Sequence, residues 1–240
     1  MKQLALDFAN TPLPTLDNFV VGRNGELLQN LRRLAAGAAH ERFLYIWGRT
    51  GCGRSHLLKG AVAELQRAGA AAAYISCRAE TRLPDGIERM DCVALDDVDR
   101  LDAEGQLAAF DLYNALREHN GALVASAAAP PVQLKLREDL VTRLAWGLVY
   151  QAHALTDEDK LRALSDHAAS RGFRLTPEVS EYLLRRVRRD LPSLLATLDA
   201  LDRYSLETRR PVTVPLVREL LHAGEAQDAR FGMRDPGSRA

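Results

Sequence analysis

The eight residues Gly48-Arg49-Thr50-Gly51-Cys52-Gly53-Arg54-Ser55 restrict the fold of this chain more than any other segment. Their spacing fits a phosphate-binding P-loop, with Arg54 standing where lysine is usual. In front lies Phe43-Leu44-Tyr45-Ile46-Trp47, a continuous apolar run that reads as a strand buried on both faces. Behind it a helix is predicted from about Arg54 to Arg67. Gly48, Gly51 and Gly53, with Thr50 and Cys52 between them, let backbone N–H groups curl around phosphate oxygens, and the helix N-terminus adds its positive end. Ser55 is placed to put its hydroxyl on Mg²⁺. Arg54 keeps the positive charge, but its planar fork is not a point ammonium, so its phosphate contact is altered. The plain alternative is a Gly-rich turn with no ligand; the strand–loop–helix context argues against it.

A second acidic feature follows at the right distance. Cys92-Val93-Ala94-Leu95-Asp96-Asp97 is an apolar run ending in two acids, the pattern of a Walker B strand. Asp96 is the candidate Mg²⁺ holder, acting through water. Asp97 stands where a water-activating glutamate is common. Being one methylene shorter, it would misplace a base and lose much of the rate. By itself an apolar run ending in aspartate is weak; behind a P-loop it is persuasive.

Strands at about 71–76, 92–95 and 122–126 alternate with helices at about 54–67 and 104–119, after a first helix at about 26–39. That alternation predicts an α/β fold with a parallel sheet covered on both faces. From Thr156 onward the pattern holds three helical stretches, about 157–171, 177–189 and 191–207, which predicts a small all-α lid subdomain. Thr156-Asp157-Glu158-Asp159 reads as near a capping box, and Thr176-Pro177 as an N-cap and first-turn pair. The expected layout is a flexible tail at 1–15, a nucleotide-binding domain at 16–152, a lid at 153–223 and a disordered tail at 224–240. A hinge is expected at 151–155.

Composition limits the function classes. Lys+Arg and Asp+Glu both number 32, so no global positive field gathers nucleic acid. Cys52, Cys77 and Cys92 are odd in number and without metal-ligand spacing, which points to a reducing, cytoplasmic compartment. No apolar run approaches the roughly 20 residues of a membrane span. The first residues lack the apolar core of a signal peptide.

Further segments carry a family resemblance. Leu16-Asp17-Asn18-Phe19-Val20-Val21-Gly22-Arg23-Asn24 resembles the adenine-side segment that opens the ATPase domain of DnaA, the bacterial replication initiator. The P-loop, continuing as His56-Leu57-Leu58, is similar to the same AAA+ family, and its Arg54 variant is shared with Hda proteins. Phe110-Asp111-Leu112-Tyr113-Asn114 matches a stretch after Walker B. Asp139-Leu140-Val141-Thr142-Arg143-Leu144-Ala145-Trp146-Gly147 resembles the box that carries the arginine finger. Gly172, Leu175, Pro177, Glu178 and Val179 fall on the lid pattern. The resemblance spans 16–223.

What the resemblance implies is specific. Phe19, Val20, Val21 and His56 join the P-loop in binding ADP or ATP with Mg²⁺, Ser126 is a candidate sensor, and Arg143 acts as an arginine finger in trans. The acidic–basic pair that often follows the sensor is replaced here by Ala127 and Ala128. Pro192 occupies the place of the lid's sensor arginine, which favours a protein held in one nucleotide state. The DNA-reading helix-turn-helix and the long N-terminal region of initiators are not expected here, so no sequence-specific DNA binding is implied. Gln3-Leu4-Ala5-Leu6-Asp7-Phe8 resembles the peptide that docks on the DNA polymerase sliding clamp, its β subunit, with Gln3, Leu4, Leu6 and Phe8 as contacts. The implied partners are that clamp and DnaA, and the implied role is negative regulation of replication initiation with weak or absent ATPase. The alternatives are an active AAA+ ATPase such as a helicase loader, a DnaA-like adaptor or initiator paralogue, and a P-loop kinase for a small molecule.

Overall fold

A computed structural model describes residues 13–231. Within them lie two compact units, one over Leu13–Leu155 and one from Thr156 onward.

The first unit is built on five short strands: β1 (Phe43–Trp47), β2 (Ala72–Ser76), β3 (Cys92–Asp96), β4 (Ala122–Ala127) and β5 (Leu148–Gln151). All pairings are parallel, in the spatial order β2-β3-β4-β1-β5. The central strands β3 and β4 are buried throughout, and β1 up to Ile46, as their unbroken apolar runs require. The order puts β4 between β1, which feeds the P-loop, and β3, which ends in Asp96.

Helices α1 (Gly25–Ala35) and α2 (Arg54–Arg67) cover one face, where Leu27, Leu31, Leu57 and Leu58 meet Leu44, Ile46, Ala94 and Val124. Helices α3 (Ala103–Glu118) and α4 (Glu138–Trp146) cover the other, where Leu112, Tyr113, Leu140 and Leu144 meet Tyr45, Val93, Leu95 and Leu123. The strand residues split by parity because successive side chains leave a strand on opposite faces.

Two elements of this unit escaped the sequence reading. β5 has four residues and alternates half-buried with exposed, as an edge strand paired on one side only does. α4 lies inside the segment recognised through its finger box but gave no helical expectation. Because β5 pairs with β1, the chain is fastened beyond the strand. Ala152 N–H donates to the Trp47 carbonyl at 2.7 Å. The Asn24 side chain then clamps the backbone of His153, donating to its carbonyl at 2.9 Å and accepting its N–H at 2.7 Å.

The second unit is all helical: α5 (Asp157–Ser170), α6 (Pro177–Arg186), α7 (Leu191–Thr208) and α8 (Val214–Phe231). Leu164, Val179, Leu183, Leu194, Leu198, Leu201, Leu216 and Val217 form its core. Thr156 closes a full capping box with Asp159. Pro177 stands in the first turn of α6, but the Thr176 side chain makes no cap bond. Asp190 caps α7 by accepting the Ser193 N–H at 2.9 Å, and Pro192 follows in the first turn, where a missing N–H costs no helical bond. His167 of α5 and Arg171, just past its end, both bind Asp199 of α7, at 2.6 and 2.7 Å. The fourth helix, α8, lies beyond the three expected helical stretches; Pro215 stands in its first turn, a position proline tolerates. Among the described residues no helix is long and apolar enough to cross a membrane.

Candidate nucleotide site

The Gly-rich loop leaves the end of β1 and enters α2 at Arg54, as strand–loop–helix reasoning requires. Gly48 is buried where β1 meets the chain after β5; a Cβ there would stand 2.5 Å from the Ala152 carbonyl oxygen. Gly53 has φ +98°, a left-handed conformation that a side chain resists, and a Cβ on it would meet the Phe19 ring at 2.8 Å. Thr50, Gly51 and Ser55 are exposed along the loop, while Cys52 is buried beneath it. Burial pushes the Cys52 thiol pKa up, so it stays protonated and packs as a small apolar group.

Phe19 reaches this loop from the segment before α1. Its ring lies 5.5 Å from that of His56, tilted at 55°. His56 Nε2 is 3.0 Å from the Thr15 carbonyl oxygen. Burial, opposed by that carbonyl and assisted by Lys59, lowers the His56 pKa. Val20 is half-buried and Val21 is exposed beside Phe19 in sequence. The structure therefore brings Phe19 and His56 against the P-loop, and Asn24 anchors the same segment through His153. Asn24 is 3% exposed; a buried amide bonded through both its nitrogen and its oxygen is a feature that a sequence does not announce.

Arg54 is the centre of the site. Its side chain is 9% exposed, and one Nη donates a very short hydrogen bond to the Gly48 carbonyl. The other Nη holds Asp97 Oδ1 at 2.6 Å. Nε has no protein partner. The guanidinium thus ties the start of α2 to the ends of β1 and β3, which a lysine's single nitrogen could not do in the same planar geometry. Asp97 adopts a left-handed backbone at φ 58°, and its other oxygen lies 3.5 Å from Arg100.

Asp96 is 3% exposed at the end of β3. Its Oδ1 accepts a very short hydrogen bond from the Ser126 hydroxyl, and its Oδ2 accepts from the Tyr74 hydroxyl at 2.7 Å. Ser126 also accepts the Asp97 N–H at 3.1 Å. Its one proton goes to Asp96, so the candidate sensor also ties the end of β4 to the acidic turn. Tyr74, on the edge strand β2, was not singled out from the sequence. For a divalent cation, Asp96 and Ser55 offer one carboxylate and one hydroxyl. That fits Mg²⁺, which keeps waters and takes phosphate oxygens beside one or two carboxylates. No cluster of three or more His, Cys, Asp or Glu occurs among the described residues.

Arg143 stands apart from all of this. On α4, its guanidinium carbon lies 4.2 Å from the Trp146 ring centroid, 5.6 Å from Phe110 and 5.9 Å from Tyr113. With Phe43, Leu44, Tyr113, Leu123 and Leu144 it lines a small crevice. Phe43 and Leu123 are paired at the start of β1 and near the start of β4, whereas the P-loop leaves the far end of β1. Five residues of strand separate the two by roughly 13 Å or more. Among the described residues, no carboxylate pairs with Arg143. Gln3, Leu4, Leu6 and Phe8, the clamp-peptide residues, lie outside the described residues.

Comparison with known proteins agrees with this architecture. Residues 157–221 match the family described as "Hda, lid domain". Domain III of the replication initiation protein DnaA from Thermotoga maritima superposes with a TM-score of 0.69 at 22% identity, over 88% of this chain and 98% of that one. AMPPCP-bound DnaA from Aquifex aeolicus superposes with a TM-score of 0.66 at 22% identity, over 83% of this chain and 70% of that one. A Thermotoga maritima RuvB variant gives a TM-score of 0.62 at 15% identity, over 89% and 72%. These likenesses establish the fold: a parallel-sheet α/β domain followed by a small helical domain, as in those proteins.

Proposed function

For an Hda-like chain of the DnaA-type AAA+ fold, we propose negative regulation of replication initiation by stimulating hydrolysis of ATP held by a DnaA molecule. Arg143 is the finger, acting in trans. The observation that carries this reading is its position. Arg143 lies near the strand starts, away from this chain's own phosphate loop, and is cradled by aromatic rings with no carboxylate partner among the described residues. A cation so placed cannot serve its own site, yet remains available to a phosphate presented by a neighbour. An arginine supplied in trans is worth roughly 10³–10⁵ in rate.

The chain's own P-loop then serves as a resident ADP site. Phe19, Val20, Val21 and His56 take the base side, the loop 48–55 cradles phosphate, and Asp96 with Ser55 would hold Mg²⁺, which neutralises phosphate charge. Three features speak against turnover in this site. Asp97 is committed to Arg54, so it is a poor base for water. Ser126 gives its proton to Asp96 rather than to a phosphate. Pro192 stands in the first turn of α7, where the family resemblance implies a sensor arginine. These same features weigh against an active cis ATPase. Docking of residues 3–8 on the sliding clamp would confine the action to clamp-loaded DNA.

The test is ATP hydrolysis by the cognate DnaA with clamp-loaded DNA, with and without this protein in its ADP form. Strong stimulation that disappears without the clamp is expected. No stimulation, with ADP supplied and clamp binding confirmed, would reject the proposal.

A further inference from the structure

Asp96 accepts two side-chain hydrogen bonds of different kinds. The one from Ser126 comes from the sheet interior, where the serine is fully buried on β4. The one from Tyr74 comes from β2, the edge strand, and its ring is half-buried, with the Lys59 ammonium 5.1 Å from the ring centroid. At 2.7 Å the phenol is the donor of this bond, because a carboxylate oxygen only accepts. Tyr74 therefore places its hydroxyl on Asp96, the carboxylate that fits a divalent cation.

A phenol that donates to a carboxylate oxygen and a cation that needs that carboxylate, directly or through water, compete for one group. Resting on the reading of this loop as a nucleotide site, we propose that Tyr74 is a positioning residue that sets how readily a divalent cation engages Asp96. Its hydroxyl holds Oδ2 and gives it up when the cation enters. The carboxylate keeps its Ser126 bond throughout, so the exchange does not disturb the buried turn. The consequence is a site that takes nucleotide phosphate through Arg54 and the loop first and recruits the cation weakly. One hydrogen bond to a charged acceptor corresponds to about tenfold or more in such an equilibrium.

The test uses the full-length protein and Tyr74→Phe, which keeps the ring under Lys59 and removes only the hydroxyl. Mn²⁺ binding in the presence of saturating ADP is measured by electron paramagnetic resonance, and ADP affinity is measured separately in EDTA. The variant is expected to bind Mn²⁺ about tenfold more tightly, with ADP affinity in EDTA unchanged. Equal or weaker Mn²⁺ binding by the variant would overturn the proposal; a weaker value would mean that the phenol orients Asp96 rather than competes for it. Failure of both proteins to bind ADP under any condition would sink the nucleotide-site reading itself. A measurement on the unaltered protein guards against a folding defect. The ¹³Cζ resonance of Tyr74 should move when Mg²⁺ is added to the ADP-bound protein, and a resonance that stays in place would refute the exchange.

Discussion

Asp97→Asn isolates the contact that most distinguishes this P-loop. The substitution keeps size and one acceptor oxygen but removes the charge that faces Arg54. In the native pair the two side chains are 9% and 20% exposed and 2.6 Å apart, so water screens them poorly. Breaking a buried pair by deleting one charge costs about 3–5 kcal/mol, because the remaining ion is left uncompensated. The asparagine oxygen still accepts from Arg54, and Arg54 retains the Gly48 carbonyl, so the lower end, about 3 kcal/mol, is expected. At about 2–4 °C per kcal/mol for a domain of this size, the sheet unit should melt roughly 6–12 °C earlier. Both tryptophans, Trp47 and Trp146, lie in that unit, so a tryptophan fluorescence melt reads it selectively. ADP should then rescue the variant more than it stabilises the native protein, because phosphate supplies the anion that Arg54 has lost. A melt within about 2 °C of native, or an ADP-induced shift no larger than native, would refute the assignment of Arg54 as a buried cation needing an anion.

Arg143→Ala should reduce stimulation of DnaA-bound ATP hydrolysis by about 10³ or more while leaving this protein's own ADP affinity unaltered. A lowered ADP affinity would place the residue at the wrong site. Gly53→Ala should cost about 1–3 kcal/mol from the left-handed backbone and weaken ADP binding by displacing Phe19; an unchanged melt and ADP titration would contradict the loop geometry. The pH dependence follows from His56. Its folded pKa is depressed by burial, so the unfolded chain binds the proton more readily, and stability is present above about pH 6.5 and lost as pH falls. The slope should not exceed about 1.4 kcal/mol per pH unit, and His56→Gln should remove this component of the acid sensitivity in melts between about pH 7 and 5.

The elements that could be read in advance were those whose reason lies within a few neighbours. The apolar runs at 43–47, 92–95 and 122–126 mark strands buried on two faces, because a parallel sheet hides both sides of its central members. The loop 48–55 carries its own explanation in glycine spacing, and Thr156 with Asp159 closes a cap inside a single helical turn. β5 could not be read this way. Four residues with alternating exposure hold no strong local signal, and the strand exists because β1 offers it an unpaired edge. The same holds for α8, whose Pro215 looks like a breaker until the helix start is known.

The sequence by itself determined the fold class, through its alternation of strands and helices, and it marked the phosphate loop and the paired acids of the β3 end as short contiguous patterns; the finger role of Arg143 is what the family resemblance implies. What those groups do to one another was decided only by the tertiary structure. Arg54 binding Asp97 joins residues 43 positions apart, Ser126 bracing Asp96 joins residues 30 apart, and Tyr74 reaches Asp96 from an edge strand. The remoteness of Arg143 from its own P-loop depends on which end of β1 each occupies. A carboxylate's availability depends on who already donates to it, and hydrogen bonds act through a few ångströms of space. Which residues come that close is set by the packing of strands and helices, not by their order along the chain.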